Sequence, residues 1–257
     1  MPVNVLPRRP LAPTMDAFYD SEEAFFSTAR IVDWTLLRQE FADVHPYDEF
    51  AYVLEGEMVM ESGGASITVE PGQVGMVPAG SIGRYRASSH ARLISLGGPN
   101  PSAAPSCLFG FRSLDGPPLS VDASVPMAVG ELPPVLLDRV EVPAPNRLHR
   151  FESGPSGDTW NSLRFSEWDL NAQQQAISHP FDHFVFVIEG TLLASTGRRT
   201  QASGAGTMLH VPAGTQVRYA APLSARVLEM DCANPAGAAS AVGEVTPFSI
   251  GPAAGEH

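Results

Sequence analysis

Two segments of the sequence carry histidines and carboxylates at a spacing that could do chemistry. His45 and Glu49 lie four positions apart in the first segment, and His179 and His183 lie four positions apart in the second. Side chains alternate along a strand, so an even spacing can place both residues of a pair on one face. Imidazole nitrogens bind transition metals, and a glutamate beside a histidine can serve as a general base. The segments therefore predict a metal site or an acid–base site.

The surroundings of each pair are repeated. Residues 33–56 and 167–190 align without a gap, and each residue of the first copy has its counterpart 134 positions later, as His45 has in His179. Each copy carries a His-Pro-aromatic-Asp sequence and, further on, Pro-Ala-Gly. Self-similarity of this length indicates a duplicated domain. The copies differ at two of these positions, since Glu49 has His183 as its counterpart and Asp43 adds a second carboxylate to the first pair only.

The elements that must position these pairs are short strands. Runs rich in Val, Ile, Leu, Tyr and Phe lie between 24 prolines and 23 glycines. Such runs between turn signals predict an all-β fold, and closing the sheets removes their exposed edges. We predict an N-terminal extension at 1–25, a first barrel at 26–98, a Pro/Gly-rich connector at 99–150, a second barrel at 151–232 and a C-terminal tail at 233–257.

The repeated pattern resembles the cupin superfamily. In the first copy, His45 and Glu49 fall on the second histidine and the glutamate of the first cupin motif. In the second copy, His179 falls on that histidine and His183 on the glutamate position. Both copies also match glycines and prolines of the two motifs, namely Gly56, Gly72, Pro78, Gly80, Gly190, Gly206, Pro212 and Gly214.

The sequence departs from the family pattern at the remaining ligand positions. Asp43 and Ile177 stand where the first histidine of the motif is usual, and Gly83 and Val217 stand where the last histidine is usual. Neither copy therefore keeps the full ligand set of the family. This departure leaves a metal-free protein as an alternative.

The resemblance implies a bicupin, with two tandem double-stranded β-helix (jelly-roll) barrels. It also implies that His210, two residues before Pro212, faces the interior of the second barrel. His179, His183 and His210 would then bind one divalent metal ion, for which Mn, Fe, Zn and Ni are candidates. The alternative is a polar pocket in which the same histidines form hydrogen bonds without a metal.

Two groups within the superfamily are the most similar. The two-barrel length and the pair His179 and His183 resemble ureidoglycine aminohydrolases, which implies manganese in the second barrel and hydrolysis of a C–N bond. The stretches YDEFAYVLEGE and PAGSIG resemble ethanolamine-utilisation-type cupins. Those proteins often lack the usual histidines, which implies a metal-free option.

Other repeated side chains could line a site. Arg218 and Tyr219 recur as an Arg-Tyr pair in the first copy. An arginine inside a barrel can clamp a carboxylate, and a tyrosine hydroxyl can donate to a substrate oxygen. The alternative is a polar contact between the arginine and a repeated aspartate such as Asp182. Trp34 and Trp168 also recur, as core anchors or as surfaces on which a substrate stacks.

The composition and net charge disfavour some classes of binding partner. The net charge of −12 disfavours nucleic acid, and no apolar run approaches the roughly 20 residues that a membrane helix needs. Cys107 and Cys232 are isolated, which excludes a zinc knuckle or a disulfide scaffold. The N-terminus lacks a secretory signal, so we expect a cytoplasmic protein with a small-molecule partner. Free strand edges favour a homodimer.

Together these features predict a metal-dependent enzyme that acts on a small polar molecule in the second barrel. The predicted catalytic residues are Glu49, His45, Tyr219 and Arg218. Hydrolysis, isomerisation, lyase and oxygenase chemistry all fit. Among them, the resemblance to aminohydrolases slightly favours hydrolysis of a C–N bond. A metal-free binding or accessory protein is one alternative. A metal-free enzyme that uses Glu49 or a histidine as acid or base is another.

Overall fold

The structure is a computed structural model that describes the chain except for residues 1–2, 8, 13–14, 20–28, 103, 122–130, 143–145, 147–148, 153–160, 198 and 250–257. Its first ten strands are β1 (Asn4–Leu6), β2 (Arg9–Ala12), β3 (Met15–Tyr19), β4 (Arg30–Val44), β5 (Glu49–Gly56), β6 (Met58–Ser62), β7 (Ala65–Val69), β8 (Val74–Val77), β9 (Ile82–Gly97) and β10 (Cys107–Ser113). The next ten are β11 (Val135–Leu136), β12 (Asp138–Glu141), β13 (His149–Glu152), β14 (Arg164–Ser178), β15 (His183–Thr196), β16 (Arg199–Gly204), β17 (Met208–Val211), β18 (Gln216–Asp231), β19 (Ala241–Val242) and β20 (Thr246–Pro247). The predicted all-β fold is confirmed.

The strands form two sheets that repeat one topology. The first sheet has the order β11-β8-β5-β9-β4-β3-β2, and the second has the order β1-β17-β15-β18-β14-β13-β12. Each sheet curls into a nearly closed barrel, so the predicted architecture of two tandem barrels is confirmed. The long strand β9 pairs with β4, β5 and β6, and β18 pairs with both β14 and β15. These two long strands bring the residues of each candidate site together.

The repeated Glu-Gly turns depend on glycine. Gly56 and Gly190 have φ angles of 73° and 79°, in the left-handed region that favours glycine. A Cβ atom at Gly56 would lie 2.0 Å from the carbonyl oxygen of His90, and one at Gly190 would lie 2.1 Å from that of Ser224. The backbones approach so closely that only glycine fits, at the end of β5 and at a register shift within β15.

Three buried apolar clusters hold the fold together. One fills the first barrel around Trp34 and Tyr85, and a second fills the second barrel around Trp168 and Tyr219. The third lies between the barrels and takes side chains from both, including Phe50, Tyr52, Phe165, Phe184 and Phe186. Alternation along each strand divides the residues between interior and interface.

Segments outside the predicted barrels extend both sheets. Within the N-terminal extension, β1 pairs with β17 of the second barrel, which places Asn4 opposite His210. From the connector, β10 pairs with β4 and β11 pairs with β8, whereas β12 and β13 extend the second sheet beside β14. No helix of the described chain has the length and apolar character that a membrane crossing needs.

Candidate functional site

The first barrel brings one histidine and two carboxylates together. Asp43 lies near the end of β4, His45 follows that strand, and Glu49 begins β5. The Nε2 atom of His45 is 3.1 Å from Asp43 Oδ2 and 3.2 Å from Glu49 Oε2, and all three residues are buried. The sequence-predicted pair of His45 and Glu49 is therefore in contact, with Asp43 on the same nitrogen.

Hydrogen bonds fix the orientation of this group. Tyr85 Oη donates to Glu49 Oε2 at 2.7 Å, and Ser95 Oγ donates to Glu49 Oε1 at 2.8 Å. On the other side of the ring, His45 Nδ1 lies 2.8 Å from Ser106 Oγ. Tyr85 and Ser95 both belong to β9, so this one strand supplies both donors that hold the glutamate.

Charge coupling separates the pKa values of the two carboxyl groups. Burial and the negative charge of Glu49 raise the pKa of Asp43 to about 7. Burial opposes ionisation of Glu49 as well, but His45 and the donors on β9 lower its pKa to about 2. Burial also opposes the charge on His45, yet Glu49 and Asp43 together raise its pKa well above the usual value. Glu49 is thus the fixed anion, and Asp43 is the group that titrates near neutrality.

A stability measurement tests this division. The folded chain keeps a proton on Asp43 up to about pH 7, whereas the unfolded chain loses it near 3.8, so this group makes the free energy of unfolding fall as pH rises between those values. Asp43→Asn cannot ionise, so we expect the variant to gain stability relative to the wild type between pH 5 and pH 8. Urea unfolding at both pH values measures the difference. A difference that does not change with pH would contradict the assignment.

The second barrel brings two histidines and one carboxylate together. His179 follows β14, His183 begins β15, and Glu229 lies near the end of β18. His179 Nε2 is 3.0 Å from Glu229 Oε1, and His183 Nε2 is 3.8 Å from the same oxygen. All three residues are buried, and one ligand atom from each lies within 4.8 Å of the others.

Neighbouring side chains orient this second group. Trp168 Nε1 donates to Glu229 Oε2 at 2.7 Å, His179 Nδ1 lies 2.6 Å from Ser240 Oγ, and Tyr219 Oη lies 3.0 Å from His183 Nε2. The predicted site residue Tyr219 therefore reaches the group from β18. Trp168 and Ser240 contact the far oxygen of Glu229 and the far nitrogen of His179, as the partners that hold metal ligands in place do. Tyr219 instead contacts the same nitrogen of His183 that lies 3.8 Å from Glu229 Oε1.

The pKa values in the second barrel favour a neutral His183 and an ionised Glu229. Burial lowers the pKa of His183 to about 4. Burial opposes ionisation of Glu229, but the hydrogen bond and charge of His179 lower its pKa to about 2. Burial likewise opposes the charge on His179, whose pKa Glu229 raises. Burial and Glu229 raise the pKa of Asp231, two residues further on, to about 6.

The Pro-Ala-Gly turns position both histidines. The amide of Gly80 donates to the carbonyl of His45 at 2.7 Å, and the amide of Gly214 donates to the carbonyl of His179 at 2.7 Å. The aspartate of each His-Pro-aromatic-Asp sequence accepts from the alanine amide of the turn, as Asp182 does from Ala213 at 2.7 Å. These repeated residues therefore have a structural role, because they tie the histidine segment to the turn.

His210 does not join the other two histidines. On β17, Leu209 and Val211 face the interior of the second barrel, so alternation turns His210 to the opposite face. There its ring stacks on Phe184, with centroids 4.8 Å apart, and its Nε2 atom lies 3.7 Å from Asp182 Oδ1. The prediction of a three-histidine group is wrong, and Glu229 takes the place expected for His210.

Arg218 also lies outside the barrel. Its neighbours Val217 and Tyr219 belong to the interior cluster, and alternation leaves Arg218 exposed on the outer face. The prediction that Arg218 works beside Tyr219 is therefore wrong. The recurring tryptophans Trp34 and Trp168 are buried inside their barrels.

Sequence reasoning missed Glu229 and Asp231. The signal was present in the repeat, because their counterparts 134 positions earlier are Ser95 and Gly97. The first barrel thus carries one of its two carboxylates on β5 at Glu49, to which Ser95 donates. The second has His183 at that place on β15 and carries its carboxylate on β18 instead.

The family comparison identifies the first copy. A model of the cupin domain matches residues 39–97, which include Asp43, His45 and Glu49. The first barrel is a cupin domain. The second repeats its topology and positions its candidate residues at the equivalent place. The comparison with curated proteins gave no match.

Solved structures resemble the whole two-barrel chain. Procruciferin, an 11S globulin from Brassica napus, has a TM-score of 0.67 at 10% identity, over 93% of this chain and 86% of that one. A variant of oxalate decarboxylase OxdC from Bacillus subtilis has a TM-score of 0.62 at 14% identity, over 92% and 77%. Salicylate 1,2-dioxygenase from Pseudaminobacter salicylatoxidans has a TM-score of 0.60 at 14% identity, over 86% and 77%. At these identities the similarity establishes the bicupin fold, which carries a globulin as well as enzymes, and leaves function to the site.

Proposed function

We propose that this bicupin is a metal-dependent enzyme acting on a small polar molecule, with one divalent metal ion in the second barrel. His179, His183 and Glu229 are the proposed ligands. The observation that carries the proposal is the convergence of two imidazoles and one carboxylate, all buried, on one point. Buried carboxylates and imidazoles of this kind are usually paired or bind metals.

The spacing of the three groups fits a metal ion. Ligand nitrogens and oxygens bind metals such as zinc at about 2.0–2.2 Å, so adjacent ligand atoms lie roughly 3 Å or a little more apart. The observed separations from Glu229 Oε1 are 3.0 Å to His179 Nε2 and 3.8 Å to His183 Nε2. Two histidines with one carboxylate suit iron and related metals, and Mn, Fe, Zn and Ni all remain candidates.

The surrounding residues give His183 and Glu229 the charge states that metal binding needs, and they orient Glu229 and His179. A low pKa keeps His183 neutral at physiological pH, as a metal ligand must be, and a low pKa keeps Glu229 ionised. Trp168 holds the second oxygen of Glu229, and Ser240 holds the far nitrogen of His179. A divalent metal bound there would polarise a substrate oxygen or lower the pKa of a bound water. The aminohydrolase resemblance favours hydrolysis of a C–N bond.

Elemental analysis tests the proposal. The full chain would be produced with added Mn, Fe, Zn and Ni, freed of loosely bound ions, and its metal content measured for the wild type and for His179→Ala. We expect about one metal ion per chain in the wild type and a loss in the variant. His210→Ala is the matched control and should keep its metal, since His210 faces away from the group. Substoichiometric metal in the wild type under all four supplements would overturn the proposal.

A second candidate function rests on the first barrel. A cavity of about 50 Å³ lies beside Asp43, His45 and Glu49, and the pKa of Asp43 is about 7. A group with a pKa near the working pH is suited to general acid–base catalysis. In this alternative Asp43 moves the proton, and the ionised Glu49 holds His45. Turnover that survives a chelator and is lost in Asp43→Asn would favour it over the metal enzyme.

A further inference from the structure

One tryptophan and one arginine recur in both barrels, but among the described residues they have carboxylate partners in the second barrel only. In the second barrel, Trp168 Nε1 donates to Glu229 Oε2 at 2.7 Å, and Arg164 Nη2 donates to Asp231 Oδ2 at 3.2 Å. Both acceptors are carboxylates on β18, and both donors are on β14. The carboxylate of Glu229 thus occupies the interior of the second barrel next to the tryptophan.

The first barrel keeps both donors and lacks both acceptors. Trp34 and Arg30 are the counterparts of the tryptophan and the arginine, whereas Ser95 and Gly97 replace the two carboxylates. Trp34 is buried, and its Nε1 atom has no hydrogen-bond partner among the described residues. The Nε atom of Arg30 is likewise buried, with no partner in the part of the chain that the structure describes. Within the described part of the chain, no carboxylate pairs with either group.

The first barrel has a cavity next to the two unpaired donors. The cavity of about 50 Å³ is lined by Arg30, Trp34 and Ser95, together with Tyr47, Gly97 and the Asp43–His45–Glu49 group. Part of the volume opposite Gly97 is taken by Tyr47, because a Cβ atom on that glycine would lie 2.3 Å from the tyrosine ring. Ser95, which stands where the second barrel has Glu229, is among the residues that line the cavity. The cavity holds about three or four water-sized groups.

Unpartnered buried donors around a cavity point to a ligand that accepts hydrogen bonds. A buried donor without a partner costs about 1–3 kcal/mol, and folded proteins keep few of them. An indole N–H can only donate, and a guanidinium is a permanent cation with donors alone. The chemistry that satisfies both is an anion, and the second barrel shows which anion the scaffold accepts, namely a carboxylate.

We propose that the first barrel binds a small carboxylate, whose oxygens take the place that the Glu229 carboxylate has in the second barrel. Trp34 Nε1 donates to the ligand and Arg30 balances its charge. The size of the cavity limits the enclosed part to a group such as formate or acetate, or to the carboxylate end of a longer molecule. This site is in the other barrel and does not depend on the metal proposed for the second.

The charges around the cavity permit an anion. Glu49 and Asp43 are the two acids that face it, and Arg30 and His45 are the two bases. The raised pKa values of Asp43 and His45 leave Glu49 as the main negative charge opposite two cations near neutral pH. The ligand carboxylate would lie on the arginine and tryptophan side, away from the Glu49 oxygen that Tyr85 holds.

Calorimetry and NMR on the full chain test the site, with acetate as the probe and acetamide as its uncharged match. We expect acetate to bind saturably and acetamide to bind at least about tenfold more weakly, because hydrogen bonds to a charged partner are roughly twice as strong. The chain has three tryptophans, so three indole N–H signals are expected. Acetate should shift the signal that disappears in Trp34→Phe. Absence of saturable binding, or equal binding of acetamide, would overturn the proposal.

Variants locate the binding. Arg30→Gln and Trp34→Phe should each weaken acetate binding by about tenfold or more. Arg86→Gln removes the same charge from the exposed outer face of the first barrel, where Arg86 pairs with Glu61, and should leave the affinity unchanged. Equal effects of the two arginine variants would contradict the site, since they would show a general charge effect.

A filling variant separates loss of the site from loss of the fold. The double variant Glu49→His with Ser95→Glu gives the first barrel the residues that the second has at His183 and Glu229. Its new carboxylate should occupy the cavity and accept from Trp34, so acetate binding should fall below detection while the thermal melt stays cooperative. A folded double variant that still binds acetate as the wild type does would overturn the proposal.

Discussion

Glu229→Gln is expected to weaken the binding of a divalent metal by more than about 100-fold. Partners that merely orient metal ligands contribute about 10–100-fold to affinity, and Glu229 is a proposed ligand whose oxygen lies 3.0 Å from His179 Nε2. Glutamine keeps the shape of the side chain and removes its charge. The loss should therefore reflect metal binding and not packing. Calorimetric titration of the metal-free chain with Mn²⁺ or Zn²⁺ measures this loss of metal affinity.

The control for this variant is Glu189→Gln. Glu189 is on β15 of the same barrel, but its side chain is 72% exposed, where it lies 3.6 Å from Arg226. Removing its charge should change the metal affinity by less than about twofold, since exposed charges interact weakly. If Glu229→Gln kept the wild-type affinity, the assignment of the second-barrel site would be wrong.

Phe165→Ala is expected to lower the free energy of unfolding by about 3–5 kcal/mol, the usual cost of truncating a buried phenylalanine. Phe165 is fully buried in the cluster between the barrels. Its ring lies 4.9 Å from that of Phe50, which belongs to the other barrel. The truncation would leave a cavity between two sheets that cannot close it without moving a whole barrel. Equilibrium unfolding in urea measures the loss.

An exposed leucine provides the comparison. Leu223 is 84% exposed on β18, so Leu223→Ala should change the free energy of unfolding by no more than about 0.5 kcal/mol. A cost below about 1 kcal/mol for Phe165→Ala would contradict a core shared by both barrels. It would mean that each barrel is stabilised by its own interior alone.

The fold could be predicted because its signals are local and repeated. The strand-like runs and the turn glycines such as Gly56 determine the backbone in their own neighbourhood, and the gapless offset repeats them in the second copy. These signals can therefore be read directly from the sequence. The contact between His45 and Glu49 followed from the same logic, since both belong to one strand–loop–strand segment. The pair His179 and His183 converges for the same reason.

The rest of the site depends on long-range register, which the sequence hides. Glu229 reaches His179 only because β18 lies beside β15 with one particular register, in which His183 is opposite Asp231. A shift of one residue would turn Glu229 out of the barrel. The same rule explains the error at His210, whose strand could have presented either face until its neighbours Leu209 and Val211 were placed.

The cavity of the first barrel could not be predicted for a related reason. It exists because Ser95 is small and lines the same interior space as Trp34, and it is limited by Tyr47 covering Gly97. These residues lie far apart along the chain, and no local pattern joins them. The repeat shows that Ser95 stands where the second copy has Glu229, but only the structure shows that Trp168 donates to that glutamate.

Anomalous X-ray diffraction at the absorption edge of the metal would locate the proposed ion within the second barrel. Crystals of the full chain would be grown separately with Mn²⁺, Fe²⁺, Zn²⁺ and Ni²⁺. With at least one of them, we expect a strong anomalous peak in the second barrel, within bonding distance of His179, His183 and Glu229. A peak between Asp43, His45 and Glu49 alone, or no peak in either barrel with any of the four metals, would contradict this expectation.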